Sequence, residues 1–128
     1  MAGRRGDRLR AGALGAFALG LALLGACEDP PRDAGPQRVR VEMREFAFDP
    51  SEIALRAGVP VDLRLRNVGR VEHDWTLLAP GGEEVSYVYV QPGRRGRDRF
   101  TLDEGTYDLL CTIEGHAEAG MVGTVVAS

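Results

Sequence analysis

The sequence predicts an all-β domain, a sandwich or barrel of seven or eight short strands. Three observations predict it. From Val39 to the C-terminus apolar residues recur at every second position; Gly and Pro clusters interrupt them at short intervals; no stretch of this part repeats apolar residues at helical spacing. In "RVRVEMREF", Val39, Val41 and Met43 share one face while Arg40, Glu42 and Arg44 take the other. "EIALR" follows. "PVDLRLRN" then sets Val61, Leu63 and Leu65 inward and Asp62, Arg64 and Arg66 outward. In "HDWTLLA", His73, Trp75 and Leu77 face in and Asp74 faces out. "EVSYVYV", "DRFTL", "TYDLLCT" and "MVGTVVA" complete the set, and "TYDLLCTI" places Tyr107, Leu109, Cys111 and Ile113 on one face. "RAGVP", "APGGEE", "QPGRRGR" and "DEG" read as the turns. Arg94 to Arg97 is the one basic cluster of this part. A solvated turn is the preferred reading over a dock for an acidic partner or lipid headgroups.

The first 26 residues are different in kind. "MAGRRGDRLR" is basic and "AGALGAFALGLALLGA" is free of charge, the layout of an export signal and too short to span a bilayer comfortably. Leu24-Gly25-Ala26-Cys27 resembles the lipobox of bacterial lipoproteins, which implies cleavage before Cys27 and a lipid on its sulfur. "EDPPRDAGPQ" reads as a flexible tether. The expected organisation is therefore a signal peptide over 1–26, lipidated Cys27 and tether over 27–37, and one β-domain over 38–128. The location is outside the cytoplasmic membrane, held to a bacterial membrane by lipid. Without the leader's four Arg and one Asp, the chain carries 12 basic against 18 acidic residues, a balance that excludes nucleic acid as a partner. With Cys27 lipidated, Cys111 has no disulfide partner, and an unpaired thiol in an oxidising compartment needs an occupant.

"CTIEGHAEAGM" supplies the candidate. Cys111, His116 and Met121 are evenly spaced, with Gly115 and Gly120 directly before the last two, suited to tight turns that aim the next side chain. Alone, each residue has an ordinary structural explanation: a buried thiol, a surface histidine, a packed methionine. Together with inward-facing His73 they form a set, because the chain has two histidines and both fall where one site needs them. A thiolate with two imidazoles forms a trigonal plane. A weak axial thioether completes a site for one copper ion passing between Cu(I) and Cu(II). Zinc rarely accepts a thioether, so a zinc hydrolase is disfavoured.

"YDLLCTIEGHAEAGMVGTVVA" resembles the C-terminal copper loop of the cupredoxin family, the small blue copper proteins, and "NVGRVEHDWTLL" resembles the family's segment with the first histidine. The resemblance implies a Greek-key β-sandwich, copper ligands His73, Cys111, His116 and Met121, and one-electron transfer between redox proteins. Two positions depart from the family: Asp74 stands where Asn is frequent and Glu114 where Pro is frequent. Asp74 retains acceptors for backbone N–H groups, and its own N–H can reach the Cys111 sulfur. The two carboxylates imply a lower reduction potential than an Asn/Pro variant would have.

The functional expectation is a monomeric, membrane-tethered electron carrier of a respiratory or photosynthetic chain. Its partners would dock near His116, where Gly115, Ala117, Ala119, Gly120 and Val122 either form a flat apolar docking patch or only shape the turn. The alternatives are a copper-trafficking lipoprotein and a metal-free adhesion module. An enzyme is not expected, since multicopper oxidases and nitrite reductases need further histidines and both are used here.

Overall fold

The computed structural model describes residues 35–128. The signal peptide, Cys27 and the tether up to residue 34 lie outside the described residues. Among the described residues the chain is all β, with nine strands in two sheets and no helix. The strands are β1 (Gln37–Arg44), β2 (Ala47–Asp49), β3 (Glu52–Leu55), β4 (Val61–Asn67), β5 (His73–Leu78), β6 (Glu84–Val90), β7 (Arg95–Phe100), β8 (Gly105–Leu110) and β9 (Val122–Ala127).

One sheet has the order β2-β1-β4-β7 and the other β3-β9-β8-β5-β6. Both are mixed: β1 with β4 and β3 with β9 are parallel, and the remaining pairs are antiparallel. The core is the set of inward positions that the alternation predicts: Val39, Val41 and Met43 from β1, Val61, Leu63 and Leu65 from β4, Trp75 and Leu77 from β5, Tyr107 and Leu109 from β8. Burial of these side chains on the shared inner faces is what holds the two sheets together. Among the described residues every core residue lies between Val39 and Ala127, so the chain from Glu28 onward retains all of this core.

Two elements differ from the sequence reading. β2 is a separate three-residue strand, turned back antiparallel on β1 with Met43 opposite Phe48. It is too short to show its own alternation. In β7 the stretch Arg95-Gly96-Arg97 is strand, not turn; the turn is the segment before it, where Gly93 has a positive φ of 70°. Period two is present in β7, but glycine conceals it. Gly96 faces inward, and a Cβ there would come within 2.7 Å of Val88 and 2.8 Å of Val90. Its missing side chain lets β7 close on β6, where the Ser86 hydroxyl donates to Asp98 at 2.6 Å between the sheets.

Register assembles one end of the sandwich. Met43 lies opposite Asn67, which brings the ends of β1 and β4 together. Thr76 lies opposite Leu110, so the start of β5 meets the segment leaving β8. His73 and Cys111 therefore arrive at the same end from chain positions 38 residues apart.

Candidate metal centre

His73 opens β5 and is fully buried, as the strand phase requires. Cys111 follows β8 in the same phase as Tyr107 and Leu109; it is a free thiol with no exposed surface. The loop from Ile113 to Met121 is closed by its own backbone. The His116 N–H donates to the Ile113 carbonyl, the Met121 N–H to the His116 carbonyl, and the Cys111 N–H to the Met121 carbonyl. Gly115 and Gly120 have φ of 80° and 108°, conformations that residues with a Cβ rarely adopt, and each precedes a candidate ligand. The loop thus turns His116 back over Cys111 and returns Met121, fully buried, to the start of β9.

The Nδ1 atoms of His73 and His116 are 3.2 Å apart, and the Cys111 sulfur is 3.4 Å from His116 Nδ1. One ligand atom from each of the three residues lies within 4.8 Å of the others. Two nitrogens each about 2.0–2.1 Å from one ion have this kind of separation. The residues fit the metal: the buried His73 imidazole, the buried Cys111 thiol and the half-buried His116 imidazole converge on one point. His73, Cys111 and His116 form a candidate copper site.

Burial pushes the Cys111 thiol up from its ordinary value, opposed by the N–H groups of Asp74 and Ile113 that point at the sulfur. The Asp74 N–H lies 3.4 Å from it, as the sequence reading allowed. Burial, reinforced by His116, holds His73 below the ordinary imidazole range, and Glu45 opposes the shift. Both effects favour uncharged groups until a cation arrives.

Asp74 departs from its expected place. It faces away from His73, but it is buried, not solvated. Its carboxylate accepts from the Thr76 hydroxyl at 2.8 Å, the Thr112 N–H at 2.9 Å and the Thr112 hydroxyl at 2.9 Å. These bonds satisfy a buried charge and clasp β5 to the residue after Cys111. Glu114 is exposed on the loop and, among the described residues, forms no hydrogen bond or ion pair.

Three supporting residues escaped the sequence reading. Glu45 accepts the N–H groups of Arg70 at 2.6 Å and Val71 at 3.0 Å, and these bonds, Val71 first, lower its pKa to about 2. Its Oε1 also lies 3.4 Å from Nε2 of His73, a buried atom with no other acceptor. A proton held on Nε2 leaves the Nδ1 lone pair free for the metal. Asn67, buried, binds the carbonyls of Val71 and Val90 and receives the Gly69 N–H, ordering the loop that leads into His73. Phe46 packs its ring 4.7 Å from His116 and 6.4 Å from His73, covering both imidazoles. One signal was available: Glu45 continues the inward phase of Val39, Val41 and Met43, so a carboxylate was aimed at the interior.

A fold of two mixed sheets with a His-Cys-His cluster at one end is a β-sandwich built to hold a metal ion. The family model of the cupredoxin-like domain matches residues 16–127, and the chain belongs to that family. Over 116 residues it is 34% identical to the copper-resistant cuproprotein CopI of Rubrivivax gelatinosus, spanning 75% of this chain and 70% of that protein. Among solved structures it is similar to auracyanin A, described as a "blue" copper protein, from Chloroflexus aurantiacus. That match has 23% identity and a TM-score of 0.65, over 73% of this chain and 100% of the other. The reduced auracyanin of Roseiflexus castenholzii matches at 18% identity and a TM-score of 0.66, over 74% and 99%. These two structures establish the fold.

Proposed function

We propose that the protein is a one-electron carrier, exported and tethered to a membrane by a lipid on Cys27. Its single type 1 copper ion would be held by His73, Cys111, His116 and, as the weak axial ligand, Met121. The convergence of two Nδ1 atoms and a buried thiol is the observation that supports it. Met121 is buried and bonded through its backbone to both Cys111 and His116, which supports its place as fourth donor. Copper supplies the one-electron couple; the chain supplies a preset donor geometry and a dry surround. Glu45 and Asn67 hold the His73 side of the site, and Asp74 holds the Cys111 side, so gain or loss of an electron requires little rearrangement.

His116 is half-buried beneath Phe46, and its imidazole is the route to a redox partner. Gly115, Ala117, Ala119, Gly120 and exposed Val122 form the small-residue surface around it. Electron exchange with a partner protein, without catalytic turnover, is the activity this arrangement suits.

A second reading, copper handling in metal resistance, is favoured by the name of the R. gelatinosus relative. One experiment separates the readings. The chain from Glu28 is loaded with Cu(II), and its visible and electron paramagnetic resonance spectra are recorded. Electron exchange is then compared with copper loss to a chelator. A carrier gives an intense thiolate-to-copper band, lost in Cys111→Ser, with fast electron exchange and slow copper loss. A colourless protein refutes the carrier, a protein that retains no copper refutes both readings, and rapid copper loss favours handling.

A further inference from the structure

The sheet β2-β1-β4-β7 has a second organised feature on the face turned away from the core. Register aligns its outward residues in rows across β1, β4 and β7: Arg38, Asp62 and Arg99; Arg40, Arg64 and Arg97; Glu42, Arg66 and Arg95. With Arg44 at the end of β1, eight arginines occupy this face, and Asp62, Glu42 and, on β2, Asp49 stand among them. The remainder of the chain after the leader is strongly acidic, so the protein is polarised.

Like charges directly opposite one another on neighbouring strands destabilise a sheet. The middle row is nothing but such pairs, and its position in the fold does not require them. Asp62 neutralises Arg64 at 3.1 Å and lies 4.0 Å from Arg38, while Glu42 and Asp49 engage Arg44. Among the described residues, Arg40, Arg66, Arg95 and Arg97 form no ion pair. Together with Arg64 they border a groove of about 350 Å³, and the Arg64 Nε is buried there without a hydrogen-bond acceptor. Among the described residues, these four guanidinium groups have no carboxylate to meet them.

We propose that this arginine face docks the domain onto a membrane of anionic phospholipid, the guanidinium groups taking headgroup phosphates. A phosphate surface fits the face better than a protein does. Neighbouring guanidinium positions are spaced on a grid of about 5 by 7 Å, set by strand separation and the two-residue rise. This is a repeating array, suited to many equivalent planar-fork contacts with phosphate. Protein interfaces centre on apolar or aromatic anchors, and the exposed large apolar side chains (Phe46, Val68, Val71, Tyr87, Tyr89, Val122 and Val126) all lie off this face. The face is also lateral. His116 sits at the end of the sandwich, so docking on the side leaves the route to the metal centre open.

The proposal rests on the lipid tether for proximity alone: Gln37 is ten positions from Cys27, a reach of at most about 35 Å. The face acts through charge, so the unlipidated chain from Glu28 tests it directly. Its partition is measured on phosphatidylglycerol and phosphatidylcholine vesicles. The expected result is binding to the first, none to the second, and release at high salt. Each arginine contributes about fivefold on an anionic surface, so Arg40→Gln/Arg95→Gln/Arg97→Gln, which breaks none of the ion pairs above, weakens partition about 100-fold. The triple variant keeps or raises the melting temperature, because it removes repulsion; that readout separates docking from a structural role. Arg56→Gln, off the face, removes one charge with little loss.

Four results overturn the proposal: no partition of the parent chain, equal loss in Arg56→Gln and Arg97→Gln, displacement by millimolar inorganic phosphate, or stronger binding to polyglutamate than to vesicles. The third identifies a free oxyanion as the ligand and the fourth an acidic protein. A colourless chain that still partitions refutes the carrier and leaves this proposal standing.

Discussion

Replacing Asp74 by Ala, and separately by Asn, measures the clasp between β5 and the segment after Cys111. Three donors meet its carboxylate at 2.8–2.9 Å. Hydrogen bonds to a charged acceptor contribute about 1.5–3 kcal/mol each. Two effects reduce the total in Asp74→Ala: several kcal/mol of carboxylate dehydration is recovered, and exposed Thr112 turns to water. The buried Thr76 hydroxyl has no such recourse. The net loss expected is about 2–4 kcal/mol, or about 10–25 °C in melting temperature for a domain of this size. Asp74→Asn retains an acceptor for Thr76 and the Thr112 N–H, and its amide donates to the Thr112 oxygen. It is expected to lose less than about 1 kcal/mol. Urea unfolding of the metal-free chain, followed by the fluorescence of Trp75, reads both. Its N–H bond to the Cys111 sulfur belongs to the backbone, so the thiolate-to-copper band is expected in the Asn variant, with a raised reduction potential from the lost negative charge. An Ala variant within about 0.5 kcal/mol of the parent, or an Asn variant as damaged as Ala, refutes the clasp.

Four further outcomes follow from the same geometry. Glu45→Gln removes the charge facing His73 Nε2 and is expected to raise the reduction potential, with nitrogen NMR of the metal-free chain showing a less uniform His73 tautomer. Because the folded pKa of Glu45 is about 2 against 4.5 ordinarily, its contribution to stability is complete above pH 4.5 and fades as pH falls through 2; the Gln variant loses that slope in acid unfolding curves. Gly69→Ala places a Cβ against the Glu45 carboxylate, a flexible group that moves aside, so it is expected to reproduce the Glu45→Gln potential in a folded protein. His73 is held below 6.5, so the unfolded chain takes up a proton first. Metal-free stability is expected to drop as pH falls below about 6.5, and saturating copper to suppress that drop in melting curves at pH 7.5 and 5.5.

Strand phase made the core legible. Val39, Val41, Met43, Val61, Leu63, Leu65, Trp75, Leu77 and Leu109 are buried where alternation puts them, because a side chain's face on a strand is set by counting along the chain. The same count turned His73 and Cys111 inward, and the glycines before His116 and Met121 marked the loop's turns. Local order failed where a partner was needed to see it. Gly96 reads as a turn until Val88 and Val90 show what it makes room for.

What the sequence determined by itself is the fold class and the convergence of His73, Cys111 and His116 as candidate donors, since strand phase and the scarcity of histidine and thiol mark them. Only the tertiary structure decided which groups surround those donors. Glu45 reaches Arg70, Val71 and His73 across 25 to 28 positions, Asp74 reaches Thr112 across 38, and three strands align their arginines into one face. Such contacts are set by sheet register and loop closure. They join segments whose separation along the chain carries no local signal of the meeting.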